Sequence, residues 1–311
     1  MIHVENLTKY YGELCAVDRI NLDVHKGEIL GILGPNGAGK TTTLRMLTGF
    51  IRPSSGTIRI KDYSIEENSL GIRKLLGYLP ESAPLYHDML VYDYLSYVAD
   101  IRQVERSRKL SRIREMADLC GLNEVMHKPV AELSKGYKQR VGLAHAMIKD
   151  PEILVFDEPT SGLDPNQIVE IREIMRQIGK EKTVVLSTHI LSEAEATCDR
   201  VVIINQGKIA ADGTMESLKR SAGGEYSIHL ALRNAGMEEV RKKLEEIGGV
   251  EGISAQEGDD AVLHVNLSCR SSDDLRERLY EKIKQTNWIL LEFYQESQSL
   301  ENIFQKLTLE N

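Results

Sequence analysis

The sequence predicts an α/β chain in two parts: a parallel sheet covered by helices on both faces, then a smaller α+β unit. Three observations carry this. Short apolar runs at 28–33, 76–79, 152–157, 183–187 and 200–204 are separated by stretches of helical spacing, the pattern of strands buried on both faces. One of these runs passes through Gly34-Pro-Asn-Gly-Ala-Gly-Lys-Thr41 straight into a helical stretch at 42–48. Behind Ser221-Ala-Gly-Gly224, a linker composition, the predicted order is β-α-β-β-α-β-α, that of a split βαβ, ferredoxin-like unit.

Taken in order, residues 2–8 and 20–24 alternate apolar and polar as half-exposed strands do. Lys9-Tyr-Tyr-Gly12 between them reads as a turn. Residues 56–60 form another alternating strand, and a short basic helix at about 69–76 leads into the core strand at 76–79. From about 84 to 135, segments rich in Tyr, Arg and Glu keep helical spacing without a strand signal and predict an all-helical insertion. Further helices are expected at about 165–179 and 190–197. In the tail, strands are expected at 226–232, 250–256, 261–267 and 289–295, the middle two joined across Gly258-Asp-Asp260. Helices are expected there at 237–247, 273–286 and 300–307. The domains are therefore 1–220 and 225–311, and the second shows no catalytic cluster.

Composition narrows the class. At 311 residues, 41% hydrophobic and 28% charged, the chain has ample core for two globular domains. A net charge of −8 gives no support for nucleic acid as the main partner. Cys15, Cys120, Cys198 and Cys269 lie far apart without metal-ligand spacing and read as reduced thiols. No basic-then-apolar leader opens the sequence, and no apolar run approaches the ~18 residues of a membrane span.

The chemistry begins at the loop. Gly34, Pro35, Asn36, Gly37, Ala38, Gly39, Lys40, Thr41 and Thr42 fit the phosphate-loop pattern in its strand–loop–helix setting. The glycines let backbone N–H groups face a phosphate, and the helix N-terminus adds its dipole. Lys40 supplies a point charge for the β- and γ-phosphates, and Thr41 a hydroxyl for Mg²⁺. The strand at 153–157 ends in Asp157 and Glu158, with Pro159 capping the turn. Asp157 is placed to hold Mg²⁺, directly or through water, and Glu158 to act as general base towards a water attacking the γ-phosphate. Ligands of parallel sheets gather at the carboxyl ends of strands, which brings Thr41, Asp157 and His189 to one edge.

With these in place the chain resembles the ATP-binding cassette (ABC) ATPases. Leu133-Ser-Lys-Gly-Tyr-Lys-Gln-Arg140 is similar to their signature sequence, Ser161-Gly-Leu-Asp164 to the D-loop, and Ser187-Thr-His189 to the switch histidine segment. The ordered set spans about residues 2–215. The resemblance implies a phosphate-loop NTPase cassette with a helical subdomain at about 84–135. It also implies a head-to-tail dimer of two copies around two ATP and two Mg²⁺. Ser134, Lys135 and Gly136, at the start of a helix from Tyr137 to Ile148, would cap the nucleotide of the partner. By the same resemblance Asp164 lines the dimer interface, His189 contacts the γ-phosphate, and Tyr11 stacks on adenine, with Tyr10 as the fallback.

Two departures matter. Glu81, in Gly77-Tyr-Leu-Pro-Glu81, stands where the family usually has Gln; a carboxylate can still ligate Mg²⁺ but adds negative charge near the γ-phosphate. Lys135 and Tyr137 replace commoner Gly and Gln, and Lys135 either attracts the partner's nucleotide or points to solvent. Tyr86, Tyr92, Tyr94 and Tyr97 are candidates for a protein interface or for core packing. The arrangement resembles ATP-binding subunits of bacterial exporters of the drug-resistance, sodium-efflux and gliding-motility type. That implies hydrolysis coupled to a separate membrane permease, at the inner face of the membrane. The alternative is a regulatory ATPase acting on a soluble partner; a phosphate-loop kinase would leave the signature and D-loop without purpose.

Overall fold

The computed structural model describes residues 1–221, 225–258, 262–270, 274–297 and Phe304, in two compact units, Met1–Thr214 and Met215–Asn311. The first unit opens with β1 (Ile2–Tyr11) and β2 (Leu14–Val24). β3 (Ile29–Leu33) is buried at every position and leads through the glycine loop into α1 (Lys40–Leu47). β4 (Ser55–Ile60), β5 (Tyr63–Ser64), α2 (Ser69–Leu75) and β6 (Leu76–Leu79) follow. Three helices then come without a strand between them, α3 (Val91–Ile101), α4 (Arg106–Leu119) and α5 (Lys135–Met147). The unit closes with β7 (Ile153–Asp157), α6 (Pro165–Gly179), β8 (Thr183–Thr188), α7 (Leu191–Thr197), β9 (Arg200–Asn205) and β10 (Lys208–Gly213).

These strands make two sheets. The larger has the order β10-β9-β3-β8-β7-β6; five strands are parallel and β10 adds an antiparallel edge. The smaller, antiparallel sheet has the order β2-β1-β4-β5. Alternation along each parallel strand serves two cores. Leu154 and Phe156 face the cluster shared with α3, α4, α5 and α6. Ile153 and Val155 face the other, where Leu44, Met46 and Leu47 of α1 meet the antiparallel sheet. Burying each such side chain contributes about 1.5–3 kcal/mol, so the central strands, and the loops at their carboxyl ends, are held from both sides.

In the second unit α8 (Met215–Ser221) precedes β11 (Glu225–Arg233), α9 (Met237–Glu245), β12 (Val250–Glu257), β13 (Val262–Arg270), α10 (Arg276–Lys284) and β14 (Ile289–Ser297). The antiparallel order β12-β13-β11-β14 is that of a split βαβ sheet. Val240 and Leu244 of α9 and Leu279 and Ile283 of α10 pack on its apolar face.

The structure corrects several expectations. Lys9, Tyr10 and Tyr11 belong to β1, and the reversal falls at Gly12, which adopts φ +60°. Cross-strand pairing of Tyr10 with Cys15 and Tyr11 with Leu14 carries the ladder further than the aromatic-plus-glycine reading allowed. β5 and β10 were not expected, being two residues long and polar-alternating at an edge, respectively. α5 starts at Lys135 rather than Tyr137, because Ser134 is its N-cap. α10 is shorter than the expected 273–286. The closing helix expected at 300–307 lies, except for the helical Phe304, outside the described residues. All four cysteines are free thiols; burial pushes that of Cys120 up to about 12.

Candidate nucleotide site

The glycine loop leaves the central strand β3 and curls at the carboxyl edge of the sheet. Gly37 and Gly39 have φ +81° and +109°, where glycine alone is unstrained. Gly34 and Gly39 also allow close packing: a Cβ would lie 2.2 Å from the Ile204 carbonyl oxygen or 2.5 Å from that of Ala16. The loop is thereby fixed against β9 and β2, and α1 starts from it at Lys40.

Lys40 is 5% exposed and turns back over its own loop. Its ammonium donates to the carbonyls of Gly34 at 2.8 Å and Pro35 at 3.2 Å, and stands 3.2 Å from Glu158 Oε1. The other oxygen of Glu158 lies 2.8 Å from His189 Nδ1; an ionised carboxylate only accepts, so Nδ1–H donates. Glu158 is 8% exposed and non-glycine at φ +48°, a left-handed conformation that costs on the order of 1–3 kcal/mol. Its backbone N–H is held by Ser187 Oγ at 2.9 Å.

Beneath this pair, Asp157 is 1% exposed. Its Oδ1 accepts from Thr41 Oγ1 at 3.0 Å and Ser187 Oγ at 2.7 Å. Oδ2 is buried without a hydrogen-bond partner. A buried carboxylate oxygen left over beside a hydroxyl fits a divalent cation of the hard, oxygen-ligated kind. Among the described residues no cluster of three or more His, Cys, Asp or Glu could hold a metal, so such a cation would need substrate oxygens and water as further ligands.

A cleft of about 480 Å³ opens above these groups, lined by Tyr11, Leu14, Ala16, Asn36, Gly37, Ala38, Gly39, Lys40, Thr41, Thr42, Glu81, Glu158, Ser161 and His189. Gly34 and Pro35 contribute through their carbonyls to Lys40. Tyr11 lines the cleft and Tyr10 does not, as alternation along β1 requires; the Lys9 ammonium lies 5.4 Å from the Tyr11 ring centre.

Ser134, Lys135, Gly136 and Asp164 do not line this cleft. Ser134 accepts the Tyr137 N–H as the cap of α5, and Asp164 accepts the Gln167 N–H as the cap of α6. Lys135 is exposed, and a Cβ on Gly162 would lie 2.2 Å from its Nζ. The signature therefore leans on the D-loop of the same chain. Ser161 and Ser187 stand in the D-loop and switch-histidine segments but carried no role of their own there, and Leu14 and Ala16 were not expected in the cleft. Ser187 is one of three hydroxyl residues in β8, and what sets it apart is only its register opposite Asp157 of β7.

A phosphate-loop strand and helix, an acidic pair at the end of β7 and a histidine at the end of β8 define a nucleoside triphosphatase of the cassette class. Residues 17–161 match the family described as ABC transporter. The bacitracin transport ATP-binding protein BcrA of Bacillus licheniformis is 40% identical over 222 residues, 71% of this chain and 72% of that protein. A solved structure described as the ATP binding subunit of an ABC transporter covers 79% of this chain and 100% of its own, with 29% identity and TM-score 0.66. A second, described as the dimeric structure of the cassette MJ0796, covers 69% and 99%, with 24% identity and TM-score 0.64. The chain belongs to the ABC transporter ATP-binding proteins: it is an ATP-binding, ATP-hydrolysing subunit.

Proposed function

We propose that this chain powers an exporter, as one of two copies that close head to tail around two ATP and act on a separate membrane permease. The observation that carries the reading is the chain Lys40–Glu158–His189 at the mouth of the cleft, a buried ion pair extended to an exposed histidine. The loop N–H groups and Lys40 take the β- and γ-phosphates, Thr42 adds a contact, and Tyr11 offers its ring face to adenine. Thr41 and Asp157, with Glu81 at the rim, hold Mg²⁺, which neutralises phosphate charge when bound.

A phosphate entering the cleft competes with Glu158 for the Lys40 ammonium, which frees the carboxylate to act as base. Glu158 then takes a proton from water while the water oxygen bonds to the γ-phosphorus. The bond to the β-phosphate oxygen breaks, ADP leaves with the electron pair, and phosphate is released. His189 keeps the Glu158 carboxylate aimed. Ser134, Lys135, Gly136 and Asp164, which lie away from the chain's own cleft, serve the nucleotide of the partner copy. That is the simplest use for a second anion-binding helix start.

No helix among the described residues is long and apolar enough to cross a membrane, and we assign the membrane passage to a separate permease. Tyr86, Tyr92 and Tyr97 are exposed around the buried Tyr94. Tyr86 meets Tyr94 and Tyr97 edge-on at 6.1 and 5.6 Å. We read this patch in the helical subdomain as the docking face for the permease, a reading that supports a position at the inner side of the membrane. Residues 1–220 act as the cassette and 225–311 as the accessory domain. Gentle solubilisation of native membranes and capture of the tagged chain tests the reading. A stoichiometric multi-span partner supports it; ATPase activity with soluble partners alone would replace it with a regulatory ATPase.

A further inference from the structure

Behind the hydrolytic pair lies a second carboxylate that the reaction as described does not use. Glu193, in the first turn of α7, is 8% exposed. Its Oε2 accepts from Thr160 Oγ1 at 2.6 Å and from Thr188 Oγ1 at 3.0 Å. Its Oε1 is buried without a hydrogen-bond partner. Thr160 lies two residues after Glu158, and Thr188 immediately precedes His189. Thr188 Oγ1 also accepts the N–H of Ile190 at 3.1 Å, so the hydroxyl brackets the histidine from both sides. Both threonines are buried.

Burying a carboxylate is expensive in desolvation, and two hydroxyls could be satisfied by backbone carbonyls at far lower cost. What the carboxylate adds is one strong acceptor shared by two separate segments. Those segments carry the two ends of the Glu158–His189 hydrogen bond, and Glu158 is held in a strained backbone conformation. We propose that Glu193 is a positioning residue for hydrolysis. It clamps the turn after β7 to the end of β8, so that the Glu158 carboxylate and the His189 ring keep their relative aim. The proposal rests on the reading that Glu158 acts as base with His189 beside it.

The test is steady-state ATP hydrolysis and nucleotide binding by the full chain and its Glu193→Ala, Glu193→Gln, Thr160→Val and Thr188→Val variants, each with its Tm. Misaim of a reacting pair by about 1 Å can cost on the order of 100-fold. In Glu193→Ala, kcat should fall about 10- to 100-fold while KM and ATP affinity stay within about twofold. Glu193→Gln should recover part of the loss, because its amide oxygen still accepts both hydroxyls. Thr188→Val combined with Glu193→Ala should cost no more than Glu193→Ala alone. Wild-type kcat in a folded Glu193→Ala variant, or a rise in KM matching the fall in kcat, would overturn the proposal. If Glu193→Ala does not fold, wild-type kcat in both threonine variants overturns it equally. Glu158→Gln run alongside separates the two claims: turnover retained there refutes the base itself, whereas turnover lost there but kept in Glu193→Ala refutes only the clamp.

Discussion

The Lys40 ammonium and the Glu158 carboxylate stand 3.2 Å apart, both almost wholly withdrawn from solvent. One residue comes from the loop after β3 and the other from the end of β7, so the pair ties the phosphate loop to the acidic strand. Removing one partner leaves the other charged and buried, which is where such pairs become costly. Lys40→Ala should therefore lower stability by about 1–3 kcal/mol and weaken ATP binding at least about 100-fold. Denaturant titration and binding of a fluorescent ATP analogue read the two effects; unchanged affinity contradicts the assignment of the loop.

Gly39 carries a steric requirement that Gly37 does not. Both have positive φ, but a Cβ on Gly39 meets the Ala16 carbonyl at 2.5 Å, whereas Gly37 has nothing within 4 Å. Gly39→Ala should cost about 2–3 kcal/mol and Gly37→Ala about 1 kcal/mol. Paired thermal melts in the absence of nucleotide check the order. Equal losses would mean that the packing of the loop on β2 is not what distinguishes the two positions.

Asp157 gives the divalent cation its own test. Asn at this position keeps an oxygen for Thr41 and Ser187 while removing the charge from the buried Oδ2. Asp157→Asn should raise the Mg²⁺ concentration for half-maximal turnover about tenfold or more, with binding of Mg²⁺-free ATP little changed. Chelation should stop hydrolysis by the unmodified chain.

His145 reports pH. On α5, its Nδ1 lies 2.6 Å from the Tyr94 hydroxyl, which also donates to the Pro84 carbonyl at 3.2 Å. Burial, helped by the charge of Arg102, lowers its pKa from 6.5 to about 4. The unfolded chain thus takes up a proton that the folded chain refuses. The contribution is fully present above pH about 6.5 and is lost as pH falls towards about 4, at most about 3 kcal/mol. Chemical denaturation across this window, compared with His145→Asn, should show a steeper loss in the parent chain; parallel curves would contradict the shift.

Much of the site was legible because the chemistry is local in sequence. The glycine loop, Lys40, Asp157 and Glu158 sit in short motifs whose strand and helix context is visible in the pattern of apolar residues. The start of α6 at Pro165 was legible, whereas α5 begins earlier, at Lys135, than its apolar rhythm shows. What was hidden depends on distant segments meeting. Ser187 matters because β7 and β8 pair in register, and Glu193 because α7 turns its first acidic residue inward between two loops. Nothing in the spacing of Ser192-Glu193-Ala194 marks that acid as buried. The turn expected at Lys9–Gly12 failed because strand pairing with β2 outweighed local turn propensity.

The most direct test of the site is turnover and oligomeric state of the Glu158→Gln variant at saturating ATP and Mg²⁺. Gln leaves the fold's contacts nearly isosteric but cannot take a proton from water. Hydrolysis should fall by about 10²–10⁴-fold, and the ATP-bound chain should run as a dimer in size-exclusion chromatography with nucleotide retained. Steady turnover near that of the parent chain, from a folded variant that stays monomeric with ATP, would contradict the role of Glu158 and the closed dimer together.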